Sequence, residues 1–424
     1  MVNGRALSFY STGCVIRACQ LNVDWTPCVV AALKPYAKGK GGRGVVQRAL
    51  NTLENIENNS DAPGQAMAGN MPFEWDELAL QRYFTLLGAG LFEWHERLGS
   101  KPAKRWKEKL LEGFAGKEAF LCQRRCSVWA GLDSTSMFLI GNYIRKLGPV
   151  QAMMTVVIVC VCYCNWRYAA ALFGSEGAPY PLTALTMAKR HQDARSRSEL
   201  RLSPVGGLTG SSRLSLGSLA KRLGLQQSSG QNSEHYHCFL SFLYAEHVSA
   251  EAEAAWDELS GIMLQDQSQR ERNSLTLEVL QRRFLLHGLT REHVARLLGQ
   301  LDRRLYDAAV SDFVGERAQM GLERLIGKSG QNPQVLLANL AHTAAVKFPS
   351  FIKRKLGPAA AQFLEKNMPP AASDKLLTLD HLQLHEHGAC EFIKNEDSSK
   401  RHSKGLYVQT EGYAELASLA YGSS

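Results

Sequence analysis

LTLEVLQRRFLLHGLTREHVARLLGQLDRRLYDAAVSDF, residues 275 to 313, carries the clearest periodicity in this 424-residue chain. Val294, Leu297, Leu298, Leu301, Leu305 and Ala309 recur at spacings of three and four with charges on the opposite side, which predicts one amphipathic helix from a Thr290 cap onward. Gly288 stops the helical pattern that precedes it. Helix, glycine turn and helix also describe a DNA-reading helix-turn-helix, but an apolar stripe this continuous belongs against a core rather than in a groove. An ordinary helical hairpin is the expectation.

Working outward, SAEAEAAWDELSGIM has Ser249 placed as an N-cap and acids in the first turn. FEWDELALQRYFTLLGAGLFEWHERLG (73 to 99) is rich in helix formers, and Gly88 and Gly90 predict two short helices or one kinked helix. VVQRALNTLENIENN forms an amphipathic helix on Val46, Leu50, Leu53 and Ile56, and KPAKRWKEKLLEGFAGKEAFLCQRRC (101 to 126) continues the helical pattern with a charged face read as solvated. MMTVVIVCVCYCNW (153 to 166) is the most apolar segment. It is shorter than the roughly 20 residues a spanning helix needs, so a buried core element is expected over a membrane span, with helix and strand both open.

With 45% apolar residues the chain is long enough for two ordinary cores. The fold class expected is all-α or mostly α, two helical lobes joined by a Ser/Gly/Arg-rich connection. Residues 1–195 form the N-terminal lobe with a basic arm, 196–232 the linker, 233–370 the C-terminal lobe and 371–424 an arm or tail.

The net charge of +9 is concentrated. Residues 1–53 carry seven basic side chains against one acidic, and residues 189–223 eight against two. GKGGRG (39 to 44) matches G-x-G-x-x-G, but no buried strand runs into its first glycine, as a dinucleotide site requires. Two readings remain, a basic hinge and phosphodiester contact by Lys34, Lys38, Lys40 and Arg43 with Tyr36 stacking. Arg195, Arg197 and Arg213 supply a second basic stretch. KFPSFIKRK (347 to 355) interleaves Phe348 and Phe351 with Lys347, Lys353, Arg354 and Lys355, which fits a nucleic-acid strand or a helix end with core phenylalanines and solvated lysines.

HLQLHEHGAC offers His381, His385, His387 and Cys390 as weak metal candidates, with His381 and His385 four apart on a helix. EHYHC (234 to 238) is a second such group, and neither has paired CxxC or HExxH spacing. A structural zinc is the only cofactor these residues suggest. Neither a nucleophile elbow nor a P-loop occurs, so the chain reads as non-enzymatic, with a catalytic site assembled only in space left as the exception. Ten cysteines without regular pairing point to a reducing intracellular compartment, cytoplasm or nucleus. Arginines without acids at the start keep mitochondrial import open.

AAALFGSEGAPYPLTALTMA (169 to 188) is an apolar helix followed by a small-residue turn and tyrosine-proline. It resembles a short piece of some negative-strand RNA virus nucleoproteins, and the likeness stops at those residues, with no site residue carried over. From the basic segments the expectation is sequence-independent binding of a nucleic-acid backbone, RNA in particular, by a nucleoprotein or capsid-type structural protein that works as a homo-oligomer or in a larger assembly. The alternative is a helical scaffold subunit, and a metal-dependent enzyme stands third.

Overall fold

The computed structural model describes residues 74–113, 129–163, 165–197, 231–286, 288–372, 375–398 and 412–422. Among these the chain is all-α. Its helices are α1 (Glu77–Arg97), α2 (Lys101–Leu110), α3 (Ser134–Leu139), α4 (Pro149–Ile158), α5 (Trp166–Phe173), α6 (Ala184–Arg197) and α7 (Gln231–Met263). There follow α8 (Gln269–Phe284), α9 (Gly288–Leu298), α10 (Glu316–Ile326), α11 (Pro333–Leu356), α12 (Pro358–Lys366), α13 (Leu382–Ser398) and α14 (Tyr413–Tyr421). A short antiparallel pair, β1 (Pro370–Ala372) and β2 (Lys375–Leu376), lies between α12 and α13.

The chain divides into two compact units. One contains Asn142–Asp266 and Ser274–Leu301, and the other contains Gln65–Gly141, Gln267–Asn273 and Asp302–Ser424. The division does not fall at 196–232 as expected. Helix α7 packs on both α4 and α6, so the residues on either side of that Ser/Gly-rich stretch share one core. Within 371–424, α13 packs on α10 and α14 on α3.

In the first unit, Ala152 to Ile158 of α4 are all buried, and a π-helical turn, Val159–Tyr163, continues the helix. A helix apolar on every side is stable only when surrounded. Helices α7 and α9 pack on it, and residues 153 to 163 are helical despite their β-branched residues. Ser249 is not a cap: α7 runs unbroken through it, and its buried hydroxyl accepts a hydrogen bond from the Leu182 amide at 2.8 Å. The hairpin around Gly288 also differs in detail. Helix α8 ends at Phe284, Leu285 adopts a left-handed backbone (φ 56°), and α9 begins at Gly288 and stops at Leu298, so Thr290 is interior and buried. Val294, Leu297, Leu298 and Leu305 are buried as the stripe requires, although the helix does not reach Leu305.

The second unit is built around α1. Asp76 caps it by accepting from the Ala79 amide at 3.0 Å, and it runs 21 residues without a break at Gly88 or Gly90. Its Tyr83, Phe84, Leu87, Leu91 and Phe92 are buried. Helix α11 is the one helix among the described residues long and apolar enough to cross a membrane, and its Leu336, Leu340, Ala344, Phe348 and Ile352 are buried inside this unit. Helix α14 is held by Tyr413, whose hydroxyl donates to the Leu132 carbonyl at 2.6 Å, and by Tyr421, which donates to the Gly131 carbonyl at 2.8 Å.

Candidate nucleic-acid interface

The basic end of α11 lies where α2, α11 and α12 meet over α1, and Gly88 lets α2 and α11 come close to it. A Cβ at Gly88 would sit 2.8 Å from Leu110 Cδ2 of α2 and 3.0 Å from Ile352 Cδ1 of α11. The glycine expected to break the helix instead lets two neighbours converge on it.

Helix α2 turns Ala103, Lys107 and Leu110 inward. Lys107 is buried and pairs with Glu93 at 2.5 Å and with Glu96. Burial alone would pull this ammonium down, but the two carboxylates outweigh it and hold Lys107 above the usual lysine value. Glu93 mirrors it: burial pushes the carboxyl up, and Lys107 and Arg97 together hold it below the usual range. With Lys107 locked to α1, the helix presents Lys101, Lys104, Arg105 and Lys109 to solvent, with Glu108 as its one acid.

Helix α11 contains no acidic residue, and its Lys347, Lys353, Arg354 and Lys355 are exposed. Gly357 then turns the chain into α12, where Lys366 is also exposed. Among the described residues none of these nine cations forms an ion pair. Trp106 of α2 and Phe363 of α12 join the two sides, with ring centroids 5.1 Å apart, and Phe92 and His95 of α1 lie beneath. His95 donates to the Asn367 carbonyl at 2.5 Å and so ties α1 to the end of α12. Burial pulls its imidazole below the usual histidine value, the carbonyl bond opposing.

Phe348 and Phe351 have to be corrected. Both are 2% exposed, and each ring packs against Phe84 at 5.6 Å, so neither has a face open for a base. Their spacing of three puts both on the core side of α11, while the lysines take the solvent side.

The metal candidates fare similarly. His385 donates through Nε2 to the Leu379 carbonyl at 2.6 Å and accepts from the Tyr83 hydroxyl on Nδ1 at 2.8 Å, so both ring nitrogens are engaged. Its burial pushes the imidazole down to about 4. His381 accepts from the Leu384 amide at 3.3 Å and meets Trp129 edge-on, while His387 and Cys390 are half-buried. Among the described residues no group of three His, Cys, Asp or Glu side chains is arranged to hold a metal ion.

Lys34, Tyr36, Lys38, Lys40, Arg43 and Arg213 lie outside the described residues, as do Val46 to Ile56. Arg195 and Arg197 belong to the last turn of α6, where the backbone alone is described. Sequence reasoning passed over Lys101, Lys104, Arg105, Lys109, Lys366, Trp106 and Phe363. The signal for α2 was present: in KPAKRWKEKL the positions 103, 107 and 110 repeat at helical spacing, so every other basic residue must face out.

No family model, no curated protein and no solved structure matches this chain.

Proposed function

We propose that this protein binds the backbone of a nucleic acid, RNA in particular, without reading its sequence, and serves as a nucleoprotein or capsid-type structural component rather than as an enzyme. The observation that carries this reading is the cluster of exposed cations without ion-pair partners on α2, α11 and α12, brought together where Leu110 and Ile352 meet over Gly88. Lysine and arginine gain little by crowding on a fold's surface, since like charges repel. A polyanion that displaces their counterions makes the crowding favourable. Ammonium and guanidinium groups without a shaped polar pocket suit phosphates, which are the same at every nucleotide.

The test is fluorescence anisotropy of labelled RNA titrated with the full chain at two ionic strengths. Binding that weakens steeply with salt is expected, because each displaced counterion steepens the dependence. Affinity unchanged between low and moderate salt would defeat the reading. The scaffold alternative draws on exposed apolar side chains such as Leu78 (70%) and Val346 (63%). Self-association without RNA affinity would favour it.

A further inference from the structure

We infer that Trp106 and Phe363 are the base-contacting side chains of this interface, and that it takes single-stranded rather than duplex nucleic acid. This rests on the nucleic-acid reading above. Beside α1, the rings of Tyr83, Phe84, Phe92, Phe348 and Phe351 are at most 3% exposed. Trp106 and Phe363 are only half-buried and keep part of their surfaces open.

Their place in the helices decides what can reach them. An α-helix turns about 100° per residue. Going round α2 from the buried Leu110 toward α12, the order is Trp106, then Lys109 and Arg105 at the surface. Going round α12 from the buried Ala360 and Leu364 toward α2, the order is Phe363, then Lys366. The two rings therefore form a seam between two helices, with cations on both banks. A strand whose phosphates lie along the banks sets its bases over the seam. Arginine and lysine beside an open aromatic ring are the combination that holds single strands, because every base has a π-face and stacking on it needs no particular sequence. In a duplex those faces are covered by neighbouring bases, and an A-form helix offers a partner mainly its phosphates and hydroxyls. Duplex would reach the cations and not the rings.

The experiment compares single-stranded and duplex RNA of equal length in anisotropy titrations against the full chain and three variants. The wild type should bind the single strand about tenfold more tightly, the scale of one lost stacking contact. W106A/F363A should bring the single strand down to the duplex level, W106F should retain most of the preference, and K353E/K355E should weaken both ligands alike. Far-UV circular dichroism checks that each variant is folded, and if W106A/F363A is not, the wild-type ratio and W106F decide. Equal binding of both RNAs by the wild type, with K353E/K355E still weakening it, overturns this inference and leaves the proposed function standing. Binding of neither RNA removes both.

Discussion

Arg282 and Arg283 at the end of α8 and Lys353 to Lys355 at the end of α11 are adjacent cations in a last helical turn, where the helix dipole favours them. Their surroundings differ. Arg283 reaches Glu251 of α7 at 2.7 Å and also pairs with Glu258, which Arg282 contacts at 2.5 Å. The two glutamates use the positive charge of α8 to hold α7 and α8 together. No carboxylate among the described residues pairs with the α11 triplet, and α2 adds four more exposed cations beside it. Basic runs that look alike in sequence thus do different work, one as an internal fastener and the other as a surface available to an outside anion.

The largest expected effect is that of acid on the unit that contains α11, through His385 of α13. His385 is held at about 4 against 6.5 in the unfolded chain. Between those values the unfolded state binds the proton and the folded state does not, so this contribution is complete above pH 6.5 and is lost as pH falls toward 4. A gap of that size is worth about 3 kcal/mol. Glu258 is buried slightly, which alone would raise it, but Arg283 and Arg282 outweigh that and hold it below its usual 4.5, so it stays ionised through most of this window. Thermal melts from pH 7 to pH 4.5 should show a falling midpoint that H385Q flattens.

R283A should cost about 2 kcal/mol, since it strands a mostly buried Glu251 and releases Glu258. Chemical denaturation should show that loss equally at pH 7 and pH 5, with RNA affinity unaltered. An RNA defect in folded R283A would erase the distinction between the two regions. In contrast, K353E/R354E/K355E should leave the melting curve near wild type and lower RNA affinity at least tenfold at low salt, read by anisotropy. The smallest effect is expected from G88A. Its Cβ would press on the flexible ends of Leu110 and Ile352, costing about 1 kcal/mol by calorimetry. Because it parts α2 from α11, it should also weaken RNA binding slightly.

Part of this arrangement was legible in the residues. Val294, Leu297 and Leu298 at helical spacing mark a buried stripe, and the KRK of α11 follows its core phenylalanines in plain view. What misled was local chemistry with more than one use. Ser249 followed by acids reads as a helix start, yet its hydroxyl serves the Leu182 amide from within a longer helix, and Glu251 serves Arg283. His381 and His385 read as ligands, yet His385 is fastened between Tyr83 and the Leu379 carbonyl. Such partners are 302 residues away for Tyr83 and 67 for Leu182, so no window of sequence contains them.

By itself the sequence determined the all-α class, because the spacing of apolar side chains dictates which backbone period can bury them. It also determined how much positive charge the protein carries. Which cations are neutralised within the fold and which face solvent, which aromatic rings are sealed and which stay partly open, and which helices share a core were decided only in the tertiary structure. Ion pairing and burial act over a few ångströms, and distant parts of the chain come that close only once the helices have packed.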